Sequence, residues 1–227
     1  YLLKSSIALL AFLSYYWFVL RRDTTFHTNR IYLISTLIIS VLIPWFNIDW
    51  NVKSQAVRVV NDMITPIHIT TANSELSSVE PTWWTLQHIL VLIYVMGTVI
   101  FIINYFRQIA PWLKLIPKSD SRDNSIQIVK TNKSIPPFSF INTIFLGNQE
   151  FNDSELNKII SHEKQHILQY HWIDLLIVDV LSIVLWFNPL IWIYDLLIKQ
   201  NHEYLADNGV IAQGFNKSSY QALLLQQ

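Results

Sequence analysis

The segment His162-Glu163-Lys164-Gln165-His166 places two histidines four residues apart, with a glutamate beside the first of them. On an α-helix, side chains four residues apart lie on one face about 5–6 Å from each other, so both imidazoles can offer a ring nitrogen to one Zn²⁺. Glu163 can then reach a water molecule at the metal and act as its general base. Because such a pentapeptide also arises by chance, a surface helix with two solvated histidines stays open as an alternative.

Glu203 and Asp207 form a second acidic pair that shares one helical face. A catalytic zinc needs a third protein ligand and an open fourth position, and Glu203 can supply that ligand. Asp207 can accept a hydrogen bond from the far ring nitrogen of a ligating histidine, for which we favour His162. An exposed acidic helix face is the alternative, but the pair and the histidine motif together favour a metal site.

Further histidines and tyrosines flank these residues. His171 and His202 are expected to be interface histidines rather than ligands, because His202 points about 100° away from its neighbour Glu203 on a helix. Tyr170 and Tyr204 are candidates for stabilising an oxyanion, although packing is the favoured role for both.

The motif helix has a clear start in the sequence. Asn152 with Glu155 three residues later predicts an N-cap and a capping box. Short β-like segments precede it, and one of them comprises Thr143–Leu146. We expect Thr143, Ile144 and Phe145 to be substrate-binding residues, because the edge of a strand can pair with an extended peptide.

The composition indicates a membrane protein. Of 227 residues, 52% are hydrophobic and only 14% are charged, against about 25% charged residues in soluble domains; the mean hydropathy is +0.30. Apolar stretches without Asp, Glu, Lys or Arg cover Ser5–Leu20, Ile31–Phe46 and Trp83–Phe106. A bilayer core needs about 20 apolar residues in a helix, so we expect three transmembrane helices, with buried core helices as the alternative.

The distribution of charge restricts partners and predicts an orientation. Basic and acidic residues number 16 each, which argues against nucleic-acid binding by bulk charge, and without cysteine no thiolate metal site exists. Arg21, Arg22 and Arg30 crowd the first connection, and basic residues recur after Arg107, whereas the loop 47–82 is acidic. The positive-inside rule therefore places both basic regions in the cytosol and the loop 47–82 outside.

A fourth apolar region, residues 172–198, carries three aspartates and is interrupted at Asn188-Pro189. Its charge-free part is shorter than the about 20 residues that a crossing needs. Moreover, His166 and Glu203 have to meet at one metal, so the chain between them must return to the side it left. We therefore predict a membrane-associated helical hairpin at 172–198, bent near Asn188-Pro189, with both ends cytosolic.

Several segments together resemble the BlaR/MecR-type family of bacterial membrane metallopeptidases. They are Ser139-Phe140, Glu155-Leu156, Ile159-Ile160, the H-E-x-x-H motif at 162–166, Trp186-Phe187-Asn188-Pro189-Leu190 and Glu203-x-x-Ala206-Asp207. The resemblance implies a mainly α fold of polytopic membrane helices plus a small α+β gluzincin-like zinc protease domain. It also implies Zn²⁺ held by His162, His166 and Glu203, with Glu163 as the catalytic base and Asp207 behind a ligating histidine.

This resemblance organises the whole chain into two parts. Residues 1–106 would hold three transmembrane helices with the outward loop 47–82. Residues 107–227 would form a metallopeptidase domain on the cytosolic side of a bacterial inner membrane. The chain begins at Tyr1 and ends within a helical pattern at Gln227, so we expect it to be part of a longer protein truncated at its C-terminus.

The function that the resemblance implies is a zinc endopeptidase in a signal-transducing receptor. Its substrate would be a cytosolic protein, with a transcriptional repressor as the natural example. The loop 47–82 lacks an S-x-x-K signature, so the sequence does not support β-lactam sensing. Alternatives are a non-enzymatic membrane receptor or scaffold, and a housekeeping membrane zinc protease similar to the heat-shock and prenyl-protein proteases.

Overall fold

The computed structural model describes residues 2–46, 83–116 and 126–214, with the backbone alone at 83–85. The predicted outward loop 47–82, residues 117–125 and residues 215–227 lie outside this range. The elements are α1 (Leu2–Tyr15, extended by a π-helical turn, Tyr16–Leu20), α2 (Phe26–Leu42, followed by a 3-10 turn, Ile43–Trp45), α3 (Trp83–Leu115), β1 (Gln127–Lys130), β2 (Phe138–Phe140), β3 (Thr143–Leu146), α4 (Asp153–Leu168), α5 (His171–Val184) and α6 (Pro189–Ala212).

The described chain is mainly helical and contains one small sheet, as predicted, whereas the gluzincin-like character of the fold stays a prediction. Among the described residues, three helical stretches are long and apolar enough to cross a membrane: Leu2–Leu20, Phe26–Trp45 and Leu86–Leu115. Each overlaps one of the three apolar stretches of the sequence. Helices α4 and α5 also pass this test as a pair, but they are bent by 63° at their junction.

One hydrophobic core joins the first two helices to the last two. Leu9 of α1, Leu37 of α2, Val178 of α5 and Tyr194 of α6 are all buried in it. A polar contact reinforces this packing, since the Asn188 amide donates to the Ser6 hydroxyl at 2.9 Å. The core thus includes residues from both sides of the predicted boundary after residue 106, and the division into two parts stays a prediction.

Helix α3 extends further than the sequence predicted. Pro111 and Pro117, followed by the polar run 118–123, predict a linker here, but the helix continues through Pro111 to Leu115, so that expectation is wrong at Pro111. The reason lies near its end, where the Trp112 ring packs edge-on against Phe138 and Phe145 at centroid distances of 4.9 and 5.7 Å. These aromatic contacts anchor the end of α3 to the sheet.

The sheet has the strand order β1-β3-β2. Strand β1 pairs with β3 in parallel, and β2 pairs with β3 antiparallel, with Ser139 opposite Ile144. All four residues of β3 are buried. In the turn between β2 and β3, Ile141 has a φ of 55°, an unusual value for a β-branched residue.

Helices α5 and α6 form an antiparallel hairpin, since His171 at the start of α5 stacks against His202 near the end of α6. The interruption covers residues 185–188, where the Asn188 side chain accepts a hydrogen bond from the Leu190 N–H and Pro189 begins α6. The Trp186 ring lies directly on α3 at Gly97, where a Cβ would come within 2.3 Å of it. The position of the break matches the predicted bend, whereas the membrane association stays a prediction.

The bend between α4 and α5 depends on Tyr170. This residue adopts the left-handed conformation, with φ 55° and ψ 36°, and its side chain is exposed. A side chain other than glycine costs roughly 1–2 kcal/mol in this region of backbone space.

We expect Tyr170→Gly to be more stable than Tyr170→Ala by about 1 kcal/mol, because both variants remove the same ring and only glycine relieves the backbone. The measurement is thermal unfolding of both variants in the same detergent. An alanine variant as stable as the glycine variant would show that residue 170 does not hold this conformation.

Candidate metal site

Helix α4 presents the two histidines of the motif. Its first turn is closed by the predicted capping box, which is confirmed: the Asn152 carboxamide oxygen accepts from the Glu155 N–H at 2.8 Å, and the Asn152 N–H donates to the Glu155 carboxylate at 3.2 Å. One turn apart on this helix, the His162 and His166 rings lie 4.9 Å apart between centroids. Their Nε2 atoms face each other at 3.1 Å.

Helix α6 brings the third group. The Glu203 carboxylate lies 3.3 Å from His162 Nε2 and 3.7 Å from His166 Nε2. One donor atom from each of these residues falls within 4.8 Å of the others, an arrangement that could hold a metal ion. The close crossing of the helices is permitted by Gly209, because a Cβ there would lie 2.4 Å from the Gln165 side-chain oxygen on α4.

The second ring nitrogen of each imidazole, Nδ1, has a partner as well. His162 Nδ1 lies 3.1 Å from the Asp207 carboxylate, as the spacing predicted. His166 Nδ1 lies 2.8 Å from His171 Nδ1, a contact that the sequence did not predict. On an uninterrupted helix a residue five positions on would point about 140° away, but the left-handed Tyr170 breaks the helix and turns His171 back toward His166.

The remaining flanking residues have other roles. His202 is directed to Asp174, with 2.8 Å between its Nε2 and the carboxylate. The Tyr204 hydroxyl accepts a hydrogen bond from Gln200, and its ring packs against Phe26. Tyr170 is exposed at the helix junction.

Glu163 is almost completely buried on the side of α4 that faces the sheet. Burial raises the pKa of its carboxyl group, although hydrogen bonds from the Ser139 hydroxyl and backbone N–H act in the opposite direction. The carboxylate is therefore held between α4 and strand β2, next to His162. Such a desolvated carboxylate accepts a proton more readily than one in water.

The predicted substrate-binding strand requires a correction. Thr143, Ile144 and Phe145 belong to β3, which is the central strand and is paired on both sides. An extended peptide cannot add to a strand whose two edges are already occupied, so the expected edge pairing with β3 is wrong, whereas a substrate-binding role for these three residues stays a prediction. The strand beside α4 is β2, and its outer edge pairs with no other strand in the part of the chain that the structure describes.

The pKa values of the two imidazoles are shifted in opposite directions. Burial acts to lower the pKa of His162, but hydrogen bonds to Asp207 and Glu203 outweigh it and raise the value to about 9. Burial and the nearby His162 charge lower the pKa of His166 to about 4. Partial burial opposes ionisation of Glu203, yet its hydrogen bond with His162 holds the pKa of this carboxyl group below its usual value.

Apolar helices, a small sheet and a cluster of two histidines from the H-E-x-x-H helix with Glu203 of α6 are the features expected of a membrane-associated metallopeptidase. The chain belongs to the BlaR1 peptidase M56 family, whose profile matches residues 1–227, the whole chain. The resemblance seen in the sequence is thereby confirmed. A comparison with curated proteins finds no match.

Metal binding should release a proton from His162. This imidazole is protonated at neutral pH, because its pKa is about 9, and it must lose the proton to become a ligand. His166, with a pKa of about 4, is already neutral. The apparent zinc affinity should therefore rise about tenfold per pH unit between about pH 6 and pH 8, which is the linkage expected for one displaced proton.

Competitive zinc titration of the purified protein over this pH range measures the slope. In Asp207→Asn the slope should become shallower, because that carboxylate helps to keep His162 protonated. An affinity independent of pH in the parent protein would contradict the charge state described for His162.

Proposed function

We propose that this chain is the zinc metalloendopeptidase part of a signal-transducing membrane receptor, and that it hydrolyses a peptide bond in a cytosolic protein. The observation that carries the proposal is the meeting of three donor atoms beside the buried Glu163, in a chain of a metallopeptidase family. The receptor role, and a transcriptional repressor as the substrate, follow from the resemblance to the BlaR/MecR type.

The donor set fits zinc. With zinc–ligand bonds of 2.0–2.1 Å in tetrahedral geometry, neighbouring donor atoms lie about 3.3 Å apart. The two Nε2 atoms lie 3.1 Å apart, and the Glu203 carboxylate lies 3.3 Å from His162 Nε2 through Oε2 and 3.7 Å from His166 Nε2 through Oε1. A zinc ion bound there would supply Lewis-acid chemistry, polarising a carbonyl group and lowering the pKa of a water molecule.

Glu163 provides the proton transfer. Its carboxylate takes a proton from the water that attacks the scissile carbonyl and later returns it to the nitrogen of the leaving amine. Ser139 orients the carboxylate through its two hydrogen bonds. Asp207 orients His162 through the Nδ1 contact, so that Nε2 points into the cluster.

Strand β2 offers a place for the substrate backbone. Its outer edge is unpaired among the described residues and runs beside the motif helix, so an extended peptide can pair with it close to Glu163. A cavity of about 600 Å³ adjoins β2 and His166, lined also by apolar side chains of α3 and α5 such as Phe106 and Trp172. We expect this cavity to accept apolar side chains of the substrate.

The site lies at one end of the candidate membrane helices. Arg30, at the start of α2, donates to Asp174 at 2.6 Å and to the Gln169 carbonyl oxygen at 2.8 Å. The Asn201 amide donates to the Phe26 carbonyl oxygen at 3.1 Å. The cluster is therefore level with the arginine-rich connection between α1 and α2, which supports a cytosolic active site.

Glu163→Gln tests the catalytic role of the carboxylate. It keeps the shape of the side chain and all three proposed ligands, but it removes the group that accepts the proton. We expect full zinc content and a loss of cleavage of about 10²–10⁴-fold, the usual contribution of a general base. The measurements are elemental analysis and cleavage of a cytosolic partner by the full-length protein.

Glu203→Gln is the matched comparison, because the same chemical change here removes an anionic ligand and should lower the zinc content itself. If Glu163→Gln cleaves and signals like the parent, the enzymatic proposal is wrong and a non-enzymatic receptor takes its place.

Cysteine labelling tests the orientation, since these 227 residues contain no cysteine. Single variants Asp23→Cys and Glu150→Cys should react with a membrane-impermeant maleimide only after the cells are permeabilised. Ser54→Cys, in the predicted outward loop, should react on intact cells. Labelling of Asp23→Cys and Glu150→Cys from opposite sides would contradict a site on the side of the arginine-rich connection.

A further inference from the structure

A buried chain of polar side chains connects His166 to helix α2. It begins at the contact of 2.8 Å between His166 Nδ1 and His171 Nδ1. The His171 ring lies flat against His202, with 4.1 Å between centroids and 5° between planes. Both His171 and His202 are 2% exposed, so the pair is shielded from water.

The second half of the chain centres on the Asp174 carboxylate. His202 Nε2 and Arg30 Nε both contact the same Asp174 carboxylate oxygen, at 2.8 and 2.6 Å. Arg30 belongs to α2, Asp174 to α5 and His202 to α6, so three helices meet at this carboxylate. Arg30 also donates to the Gln169 carbonyl oxygen, next to the junction that positions His171.

The position of the proton decides which ring donates in the contact between His166 Nδ1 and His171 Nδ1. A hydrogen bond between two Nδ1 atoms contains one proton, and a histidine that ligates through Nε2 carries its proton on Nδ1. In the proposed zinc site, His166 therefore donates and His171 accepts. Ligating histidines in metalloproteins usually donate in this way, and the acceptor determines the tautomer and orientation of the ring.

Stacking and the Nδ1 contact together hold the His171 ring. Among the described residues, the buried Nε2 of His171 and Nδ1 of His202 have no hydrogen-bond partner. The orientation of His171 therefore depends on His202, and that of His202 depends on Asp174 and Arg30. Removing Arg30 leaves the buried Asp174 carboxylate without its cationic partner, and Asp174 is the residue that holds His202.

We propose that His171 is a positioning residue for the ligand His166, and that the group Arg30–Asp174–His202 holds it in place and so couples helix α2 to the metal site. The proposal rests on the zinc site of the proposed function. It goes beyond that function by naming the physical connection through which a displacement of an apolar helix reaches a metal ligand.

Two substitutions at His171 separate the hydrogen bond from packing. His171→Phe keeps a flat ring against His202 but has no acceptor, whereas His171→Asn loses the ring and can place its amide oxygen near the position of Nδ1. With Co²⁺ as the probe, we expect His171→Phe to weaken binding about 10–100-fold and to change the visible absorption bands. His171→Asn keeps an acceptor but loses the stacking on His202, so it should bind Co²⁺ more tightly than His171→Phe and less tightly than the parent.

Arg30→Gln tests the coupling to α2. We expect it to weaken Co²⁺ binding in the same direction as His171→Phe, whereas Arg30→Lys should recover part of the affinity. Lys199→Gln is the control, because it removes an exposed ion pair of 2.7 Å with Asp195 on α6, and it should bind Co²⁺ like the parent. Thermal unfolding of each metal-free variant identifies any that fails to fold, and the comparison is made among those that fold.

Specific outcomes would overturn the proposal. Parent-like Co²⁺ binding by His171→Phe, or equal weakening in His171→Asn and His171→Phe, would show that the Nδ1 hydrogen bond does not position His166. Parent-like binding by Arg30→Gln would remove the coupling to α2. Because Co²⁺ binding needs no cleavage, these outcomes are distinguishable from a failure of the catalytic proposal, which Glu163→Gln tests separately.

Discussion

The crossing of α4 and α6 is the constraint on which the rest of the structure depends. The Glu203 carboxylate on α6 has to reach two imidazoles that stand one turn apart on α4, and it lies 3.3 and 3.7 Å from their Nε2 atoms. The protonated His162 imidazole offsets the charge of the Glu203 and Asp207 carboxylates, and a bound metal ion would take the place of its proton. Gly209 has no Cβ, which would otherwise obstruct the approach of the two helices. The α5–α6 hairpin brings the chain back to the H-E-x-x-H motif on α4.

This hairpin also links the site to the apolar helices. Its buried residues share one core with α1 and α2, so the position of Glu203 depends on packing that includes these two helices. Water is excluded from the same region, which explains why the polar groups there occur as a connected set, Arg30, Asp174, His202 and His171, rather than singly. If the chain acts as the proposed receptor, a displacement of α1 or α2 would reach the proposed metal ligands through this packing.

The sequence predicted those features that depend on local spacing. The histidine pair, Glu203 with Asp207 and the capping box at Asn152 all follow from helical periodicity, and the apolar helices follow from composition. Features set by tertiary contacts were missed. The contact between His171 and His166 arises from the left-handed conformation of Tyr170. Strand β3 is central because β1, which is separated from it in the sequence by β2, pairs with its second edge. Helix α3 continues past Pro111 because its last turns pack on the sheet.

X-ray absorption spectroscopy at the zinc edge of the full-length protein measures directly whether these residues hold a metal. We expect one zinc per chain with nitrogen and oxygen donors at about 2.0–2.1 Å and no sulfur. Two of these donors should be imidazoles, one of which is lost from the spectrum in His162→Ala. A purified, folded protein that retains no zinc, or a spectrum with fewer than two imidazoles, would contradict the assignment of His162, His166 and Glu203.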